Sequence, residues 1–394
     1  MYRYLFSPIR INTLEIKNRI AYPSLGLLYS TDGKLNDRYY NYFAERAGGG
    51  AGLVTVGPVG VDYVGSGAIA LSLTHDEAID DFRKLTDIIK EGGARAWIQL
   101  FHAGAYSHPM FIDGRQPMAP SAVYSRYSRT TPREMSRADI QQTQENFARA
   151  AFAFLSLNIK KAVSVPVIAS NRISNPDSAE KIIRDGYADM VNLGRVLIAD
   201  PRWPQKAFEG KAEEIRPCIG CSQGCTDQVF SGRPVFCVGN ARAGFEAERR
   251  LSKTDHPKKV MVVGAGASGL EAAVTAASCG HQVDVFEKDP DIGGQLWVAG
   301  APPHKQEIME FIRYYRAQIK KHQIPLHLNT PVDASFVRRQ NPDYVILASG
   351  AQSVSRLSAG IKKLGIPFAT VGDGLRLGKL NDAIHGGFLA ALNI

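Results

Sequence analysis

Four closely spaced cysteines are the residues whose type and spacing most directly indicate a chemistry. Cys218, Cys221, Cys225 and Cys237 are separated by two, three and eleven residues. Thiolates are soft ligands that hold iron–sulfur clusters or zinc. One loop can supply three ligands from a C-x2-C-x3-C run, which favours a [4Fe-4S] cluster over the two separated C-x2-C pairs usual for zinc. A zinc site and a pair of disulfides are the alternatives.

A glycine-rich turn predicts a second site, for a dinucleotide. Lys258–Lys288 has the pattern of a strand, a glycine turn, a helix and a second strand, and Glu287 lies 18 residues after Gly269. Gly264, Gly266 and Gly269 give the G-x-G-x-x-G spacing that lets the backbone approach a pyrophosphate at a helix N-terminus. Glu287 would accept hydrogen bonds from the adenosine ribose. The alternative is a plain βαβ unit without a ligand.

Three later segments favour FAD over NAD at this turn. IGGQL follows the second strand, as in many FAD-binding domains of the disulfide-reductase type. YVILASGA is a buried strand that ends in small residues, and VGDGLRLGKLNDAIHGGF resembles the segment that closes over the flavin, with Asp373 on the ribityl chain and a helix from about Asn381. The further FAD-binding candidates are Gly294, Gln295, Gly350, Gly372 and Asp373.

The elements that precede the cysteines alternate between strands and helices, which predicts a parallel α/β architecture. Strands are predicted at 19–23, 52–56, 96–100, 165–169 and 189–193. Helices are predicted at 37–48, 76–91, 136–154, 175–185 and 202–209.

Composition sets limits on the class of protein. The 394 residues suffice for two or three domains, and no apolar run approaches the length of a membrane span. We expect a cytoplasmic protein, because the N-terminal stretch lacks a signal-like apolar run and most cysteines are clustered. The net charge of +9 indicates a basic surface or the steering of anionic substrates. Without a long basic run we expect no nucleic-acid partner and no membrane partner, and a homo-oligomer is compatible with the sequence.

With these motifs in this order, the chain resembles the flavin- and iron–sulfur-containing reductases related to old yellow enzyme. That group includes 2,4-dienoyl-CoA reductase, enoate reductase, 2-naphthoyl-CoA reductase and trimethylamine dehydrogenase. The stretch Ala188–Ala243 carries the closest likeness. The resemblance implies that NAD(P)H reduces FAD, that a [4Fe-4S] cluster relays electrons, and that FMN at the mouth of a TIM barrel reduces a C=C bond of an unsaturated or aromatic acyl-CoA.

The resemblance also implies FMN-binding residues at the ends of barrel strands. They are Pro23, Ser24, Leu25, Gly57, Gln99, Asn171, Arg172, Gly194 and Arg195. Gln99 would bind the pyrimidine edge of the flavin, and the two arginines would bind its phosphate. His102 is a candidate for catalysis, but Ala105 replaces the arginine of the family's H-x-G-R motif, and a partly buried structural histidine is the alternative. The residue that donates the proton in the family has no counterpart here.

Two parts of the family pattern are missing. A (βα)8 barrel needs eight strands, but only five are predicted, and strands four to six have no counterpart. No second G-x-G-x-x-G follows ASGAQ, where the family carries an NAD(P)H-binding insertion. We therefore predict an incomplete FMN-binding barrel at 1–215, a cluster segment and linker at 216–257, and a FAD-binding domain without its insertion at 258–394.

The missing parts indicate that the sequence joins segments of a longer protein, near Phe154–Ile159 and Gln352–Gly360. A true deletion product is the rival explanation, and an intact mass near 43.0 kDa would favour that rival. Two other functions stay open: an amine dehydrogenase of the trimethylamine dehydrogenase type, and a non-catalytic electron-transfer subunit.

Overall fold

Two parallel β-sheets organise the chain, one in each of two compact units. The first unit comprises Met1–Leu197, Pro201–Gly210 and Gly224–Val235, and the second comprises Ile198–Asp200, Lys211–Gln223 and Phe236–Ile394. The structure is a computed structural model that describes residues 2–30, 32–66, 71–73, 78–143, 168–169, 173–185, 188–302, 305–350, 355–375 and 378–394.

In the described residues, ten strands and seven helices lie mainly in the first unit, besides the helical residues 137–143. The strands are β1 Ile9–Ile11, β2 Leu14–Ile16, β3 Ile20–Tyr22, β4 Leu53–Gly60, β5 Leu71–Ser72, β6 Arg95–Phe101, β7 Met118–Ala119, β8 Arg133–Glu134, β9 Ile168–Ala169 and β10 Met190–Asn192. The helices are α1 Asp37–Gly48, α2 Tyr63–Ser66, α3 Ala78–Glu91, α4 Pro176–Arg184, α5 Gly194–Ala199, α6 Trp203–Phe208 and α7 Thr226–Phe230.

The main sheet of this unit has the strand order of a barrel that is not complete in the described residues. Its parallel strands follow one another as β9, β10, β3, β4 and β6, and β5 also pairs with β4. The last predicted strand therefore lies beside the first, as the closure of a TIM barrel requires. Buried Ile20, Leu53, Val54 and Val191 form the core of this sheet.

The strands predicted at 19–23, 52–56, 96–100 and 189–193 and the helix at 37–48 are present. Of the strand predicted at 165–169, residues 168–169 form β9 and residues 165–167 lie outside the described residues. The described part of the first unit holds more strands than the five predicted. The structure adds the antiparallel pair β1–β2, the pair β7–β8 and the short strand β5. These strands are two or three residues long, so they leave little periodicity to detect. Of the helix predicted at 136–154, residues 137–143 are helical, residue 136 precedes the helix, and residues 144–154 lie outside the described residues.

The second unit is built on five parallel strands in the order β13, β12, β11, β14, β15. They are β11 Lys259–Val263, β12 Gln282–Phe286, β13 Leu326–His327, β14 Tyr344–Leu347 and β15 Phe368–Thr370. The helices are α8 Ala267–Ser278, α9 Gln295–Gly300, α10 Glu310–Lys321, α11 Ala334–Gln340, α12 Ser355–Lys363 and α13 Leu380–Leu392. This order is that of a doubly wound nucleotide-binding fold.

Burial on both faces explains why β11 is almost wholly apolar. Val260 and Val262 pack on the side of Leu270 and Val285, while Met261 and Val263 pack with Val345 on the other. None of the helices in the described part of the chain has the length and apolarity needed to cross a bilayer. The two strand orders agree with the predicted α/β fold, a TIM-barrel-type domain followed by a Rossmann-like domain.

Candidate functional site

Residues predicted to bind FMN converge at the carboxyl ends of three adjacent strands, in what we name the barrel-end site. Ser24 follows β3, while Gly57 and Gln99 lie in β4 and β6. A Cβ atom at Gly57 would lie 2.9 Å from Ser24 Oγ and 3.0 Å from the carbonyl of Gln99. Gly57 has φ of +145°, and the register of β4 shifts around it, between Val56 and Val59. Gly57 and Gln99 were predicted at the last residues of their strands, but they lie inside β4 and β6, a few residues before the carboxyl ends.

Gly194 brings a fourth strand end to this site. It begins α5 directly after β10, and a Cβ atom there would lie 2.9 Å from Pro23 Cγ and 3.7 Å from Leu25 Cδ1. Arg195, the next residue, is half-buried. Asn171 and Arg172, predicted to bind the phosphate, lie outside the described residues.

The barrel-end site has the local chemistry that a planar, polar group such as a flavin requires. Ser24 Oγ is buried and has no hydrogen-bond partner in the described part of the chain. A buried hydroxyl without a partner is costly, so its presence indicates a ligand that completes it. A Cβ atom at Gly57 would crowd Ser24 and Gln99, so glycine at this position is what lets these two residues lie close to the β4 backbone. These residues fit FMN.

His102 lies beside this site in a defined tautomer. Its Nδ1 accepts the backbone N–H of Gly104 at 3.1 Å, so a neutral ring carries its proton on Nε2. Nε2 is 3.6 Å from Asp62 Oδ2, and the His102 side chain is 8% exposed. Asp62 could not be singled out from the sequence, because the pairing of β4 with β6 is what brings it beside His102.

The glycine motif forms a tight turn between β11 and α8, in what we name the glycine-turn site. Gly264 has φ of +105°, and a Cβ atom there would lie 2.3 Å from the carbonyl oxygen of Ala348. A Cβ atom at Gly269 would lie 2.0 Å from the carbonyl oxygen of Gly264, so the helix packs directly on the turn. At Gly266, by contrast, a Cβ atom would meet nothing within 4 Å. That opening lies at the N-terminus of α8, where a pyrophosphate binds in such folds.

Glu287 shapes the same turn from the end of β12. Its carboxylate accepts the backbone N–H of Ala265 at 2.6 Å and that of Asp289 at 3.0 Å. The side chain is buried, at 7% exposure of the residue. Glu287 thus holds the turn in addition to any contact that it makes with a ribose.

The later candidate residues also converge on this turn. Gln295 Nε2 donates to Asp373 Oδ2 at 3.1 Å, and a Cβ atom at Gly372 would lie 2.6 Å from Ser268 Oγ. Gly294 has φ of +50° and packs against Gly266. Gly350 has φ of +81° and open space where its Cβ atom would be.

Two unsatisfied polar atoms point to a ligand in the glycine-turn site. Ser349 Oγ and Asn381 Oδ1 are buried and lack hydrogen-bond partners within the described ranges. Ser349 was not among the predicted FAD-binding residues, although it lies in the YVILASGA segment. Together with the opening at Gly266, these atoms fit a dinucleotide such as FAD.

The clustered cysteines are a third set of candidate ligands. Cys218, Cys221, Cys225 and Cys237 are partly exposed and not joined in disulfides. The turns between the first three use left-handed backbone at Gly220 and Ser222, with φ of +63° and +60°. The donor set fits a cluster in its chemistry. In the described residues, however, no three His, Cys, Asp or Glu side chains stand close enough together to hold a metal.

Cys279 differs from these four thiols. It is buried directly after α8, and burial raises the pKa of its thiol. A buried thiol of this kind packs as a small apolar group.

Comparison with known proteins gives the same two-part organisation. The model of the NADH:flavin oxidoreductase / NADH oxidase family matches residues 4–154 and 153–214. The pyridine nucleotide-disulphide oxidoreductase model matches residues 237–352.

Two relatives match across most of the chain. A metal reductase of Desulforamulus reducens is 30% identical over 475 positions, which cover 89% of this chain and 71% of the relative. An NADH oxidase of Thermoanaerobacter brockii is 30% identical over 485 positions, which cover 91% and 74%. Both alignments are longer than the 394-residue chain, so the relatives contain stretches without a counterpart here.

A solved structure supports the fold. The 2-naphthoyl-CoA reductase complex with 2-naphthoyl-CoA superimposes with a TM-score of 0.87 and 20% identity, and the match covers 100% of both chains.

Proposed function

Because this chain belongs to the NADH:flavin oxidoreductase / NADH oxidase family, we propose that it reduces a C=C bond of an unsaturated or aromatic acyl-CoA. In this proposal electrons come from NAD(P)H and pass through FAD and a [4Fe-4S] cluster to FMN. The observation that carries the proposal is the convergence of Ser24, Gly57 and Gln99 at one end of three parallel strands. The enzyme class, a flavin oxidoreductase, follows from the family; the substrate and the cluster are our inference.

The barrel-end residues would orient the flavin. The Gln99 carboxamide offers both a donor and an acceptor to the pyrimidine edge, and the Ser24 hydroxyl gains the partner that it lacks in the protein. The bare backbone of Gly57 lets Ser24 and Gln99 lie close together at the site. FMN, when bound, supplies the hydride transfer to the substrate carbon. In the balanced reaction, one hydride and one proton add across the C=C bond, and one NAD(P)H is oxidised to NAD(P)+.

The glycine-turn residues would hold FAD at the other unit. The N-terminus of α8 and the opening at Gly266 suit the pyrophosphate, and Glu287 suits the ribose. Asp373 lies beside Gln295 in the segment expected to contact the ribityl chain. Cys218, Cys221, Cys225 and Cys237 would hold the cluster, and this assignment rests on their spacing.

Two considerations support an acyl-CoA substrate. The net charge of +9 favours a substrate that carries several phosphates. The similar structure of 2-naphthoyl-CoA reductase was solved with such a thioester. When hydride adds at the β-carbon, negative charge develops on the carbonyl oxygen of the thioester. Hydrogen-bond donors near that oxygen stabilise this charge and lower the activation barrier.

The test begins with cofactor content and ends with reoxidation. We would purify the full chain anaerobically and measure FMN, FAD, iron and acid-labile sulfide. The flavins would then be reduced chemically, since the sequence holds no second glycine fingerprint, and mixed with an enoyl-CoA or an aromatic acyl-CoA. We expect flavin absorbance to return as the product forms. Reoxidation by an electron-transferring flavoprotein alone would overturn the proposal and favour an electron-transfer subunit, while reduction by an amine would favour an amine dehydrogenase.

A further inference from the structure

Three aromatic rings of the first unit contact one another and are still exposed to solvent. The Tyr106 ring lies 5.4 Å from that of Tyr127, which lies 5.8 Å from that of Phe230, and both contacts are edge-to-face. The three residues are 64%, 39% and 65% exposed. Single exposed apolar residues are common on soluble proteins, but a group of rings that faces water indicates a surface that binds something.

Tyr127 stands on a six-residue loop that the fold holds in place. The backbone N–H of Ser125 donates to the carbonyl of Thr130 at 2.9 Å and closes the loop. Ser128 is buried, and its hydroxyl donates to the carbonyl of Ala105 at 2.8 Å. The loop is therefore fixed to the segment that follows β6, and the exposed ring does not have to be ordered when a ligand binds.

Two arginines flank Tyr127 on this loop. Arg126 and Arg129 are exposed, and neither has an acidic partner among the residues that the structure describes. Arg133 differs from them, because it pairs with Asp139. A guanidinium without a carboxylate partner is available to an anion, and its planar fork matches a phosphate. We define the aromatic–arginine patch as Tyr106, Arg126, Tyr127, Arg129 and Phe230.

We propose that the aromatic–arginine patch binds the adenine nucleotide of the acyl-CoA substrate. The inference rests on the proposed function, and it adds the surface that recognises CoA. An adenine ring stacks on aromatic side chains, and the phosphates beside it pair with arginine. Rings and arginines on one loop match a ligand that carries both groups. A purely apolar partner would cover the two guanidinium groups without satisfying them.

The position of the patch suits a substrate that reacts at the barrel-end site. Tyr106 lies in the segment directly after β6, the strand that holds Gln99. The Ser107 hydroxyl donates to the carbonyl of Val64 at 2.9 Å, which joins this segment to the helix that follows β4. The patch thus belongs to the same edge of the sheet as the flavin-binding candidates. In an acyl-CoA the pantetheine arm separates the nucleotide from the reacting acyl group, so the nucleotide must bind beside that site and not within it.

The first experiment measures binding to the full chain by isothermal titration calorimetry, with free CoA and adenosine 3′,5′-bisphosphate as probes. Tyr127→Ala should raise the Kd of both probes about tenfold, the ratio expected for the loss of one base–ring stack. Tyr127→Phe keeps the ring and should bind as the wild-type protein does. Phe208→Ala is the matched control, because Phe208 is 58% exposed in the same unit and contacts the ring of Phe6, outside the patch. Equal Kd values for Tyr127→Ala and the wild-type protein would overturn the inference.

A pair of double variants tests the charges. Arg126→Gln with Arg129→Gln should raise both Kd values about tenfold and make binding less sensitive to salt, because two exposed phosphate contacts are lost. Arg83→Gln with Arg184→Gln is the control, since both arginines are exposed in the same unit and pair with nearby aspartates. An equal loss of affinity in the control would reduce the effect to overall charge and overturn the inference. Should Tyr127→Ala fail to fold, these double variants decide.

The reoxidation assay separates this inference from the proposed function. In Tyr127→Ala the acyl-CoA concentration that gives half the maximal rate should rise about tenfold, with the rate at saturation unchanged. The N-acetylcysteamine thioester of the same acid lacks the nucleotide, so its concentration dependence should be the same in both proteins. If acyl-CoA also acts equally on both, the inference falls and the proposed function stands.

The opposite result is equally distinct. If free CoA binds with the predicted dependence on Tyr127 but no acyl-CoA reoxidises the flavin, the proposed function falls and the nucleotide site stands. Titration with NADH identifies the other source of an adenine nucleotide. If NADH binds at the patch and CoA does not, the patch serves the electron donor, and the inference is overturned.

Discussion

The carboxylate of Glu287 accepts the backbone N–H of Ala265 at 2.6 Å, across the turn that joins β11 to α8. Glu287 was predicted from the sequence as a ribose ligand, by its distance from the glycine motif. In the structure the same carboxylate also accepts the N–H of Asp289, so it already serves two backbone donors. The carboxylate of Glu287 therefore has a structural role, because its two oxygens hold two backbone N–H groups of the turn. Any contact with a ribose comes in addition to that role.

Replacing Glu287 by glutamine should weaken both the fold and the retention of FAD. The amide has one accepting oxygen, so one of the two backbone N–H groups would face an NH2 group and lose its partner, at a cost of about 1–3 kcal/mol. Chemical denaturation and FAD content per chain measure the two effects. Asp284→Asn is the control, since Asp284 lies on the same strand but is 48% exposed and contacts only His327 among the contacts given for it. Equal stability in the two variants would contradict the prediction.

Adding a methyl group at Gly57 should abolish FMN binding. The Cβ atom of Gly57→Ala would crowd Ser24 Oγ and the Gln99 carbonyl, and its φ of +145° disfavours any side chain. Gly114→Ala is the control for backbone strain, because Gly114 has φ of +72° but open space around its Cβ position. Flavin fluorescence after release from the protein measures the FMN content. FMN retained in full by Gly57→Ala would remove this residue from the proposed site.

Substitution of Ser24 by alanine separates ligand binding from folding. The Ser24 hydroxyl is buried and has no partner in the residues that the structure describes, so its removal from the FMN-free protein should leave the free energy of unfolding equal or slightly higher. Affinity for FMN should fall about tenfold, the ratio expected for one hydrogen bond. Titration of the stripped protein with FMN gives the affinity. A loss of stability without a loss of affinity would show that the hydroxyl serves the fold alone.

The second unit should lose stability as the pH falls below about 6.5, the ordinary pKa of histidine. Burial, together with Lys258, lowers the pKa of His281, whose Nδ1 accepts the backbone N–H of Lys258 at 3.2 Å. The unfolded chain then binds a proton at a higher pH than the folded chain does, so protonation favours unfolding. His281→Asn keeps an acceptor and does not titrate, and it should flatten the decline in melting temperature between pH 7 and 5. His256→Asn, at an exposed position, should leave that decline unchanged.

The longer strands and helices that carry the motifs were predictable because their apolar patterns are long. The strand Lys259–Val263 and the helix Ala267–Ser278 follow from four buried apolar residues in a row and from the glycine spacing. The convergence of Ser24, Gly57 and Gln99 was predictable from the family resemblance, and general rules of parallel sheets place such residues at one edge.

Contacts between residues distant in the chain could not be predicted. Arg216 and Glu271 are 55 residues apart, and nothing in either local pattern marks a buried pair. Asp62 beside His102 depends on the register of β4 against β6, which a sequence does not reveal. The bulge at Gly57 likewise depends on how neighbouring strands twist, so its exact place within β4 was missed.

Two glycines of one motif should respond differently to the same substitution, and the contrast tests whether the glycine turn binds a pyrophosphate. A Cβ atom at Gly264 would overlap the carbonyl of Ala348, so Gly264→Ala should destabilise the second unit with or without FAD. A Cβ atom at Gly266 meets nothing within 4 Å, and its backbone φ of −79° suits alanine. Gly266→Ala should therefore leave the unfolding of the FAD-free protein unchanged, yet lower FAD content, because the methyl group would occupy the space at the N-terminus of α8. If Gly266→Ala held FAD as well as the wild-type protein, the pyrophosphate would have to bind elsewhere.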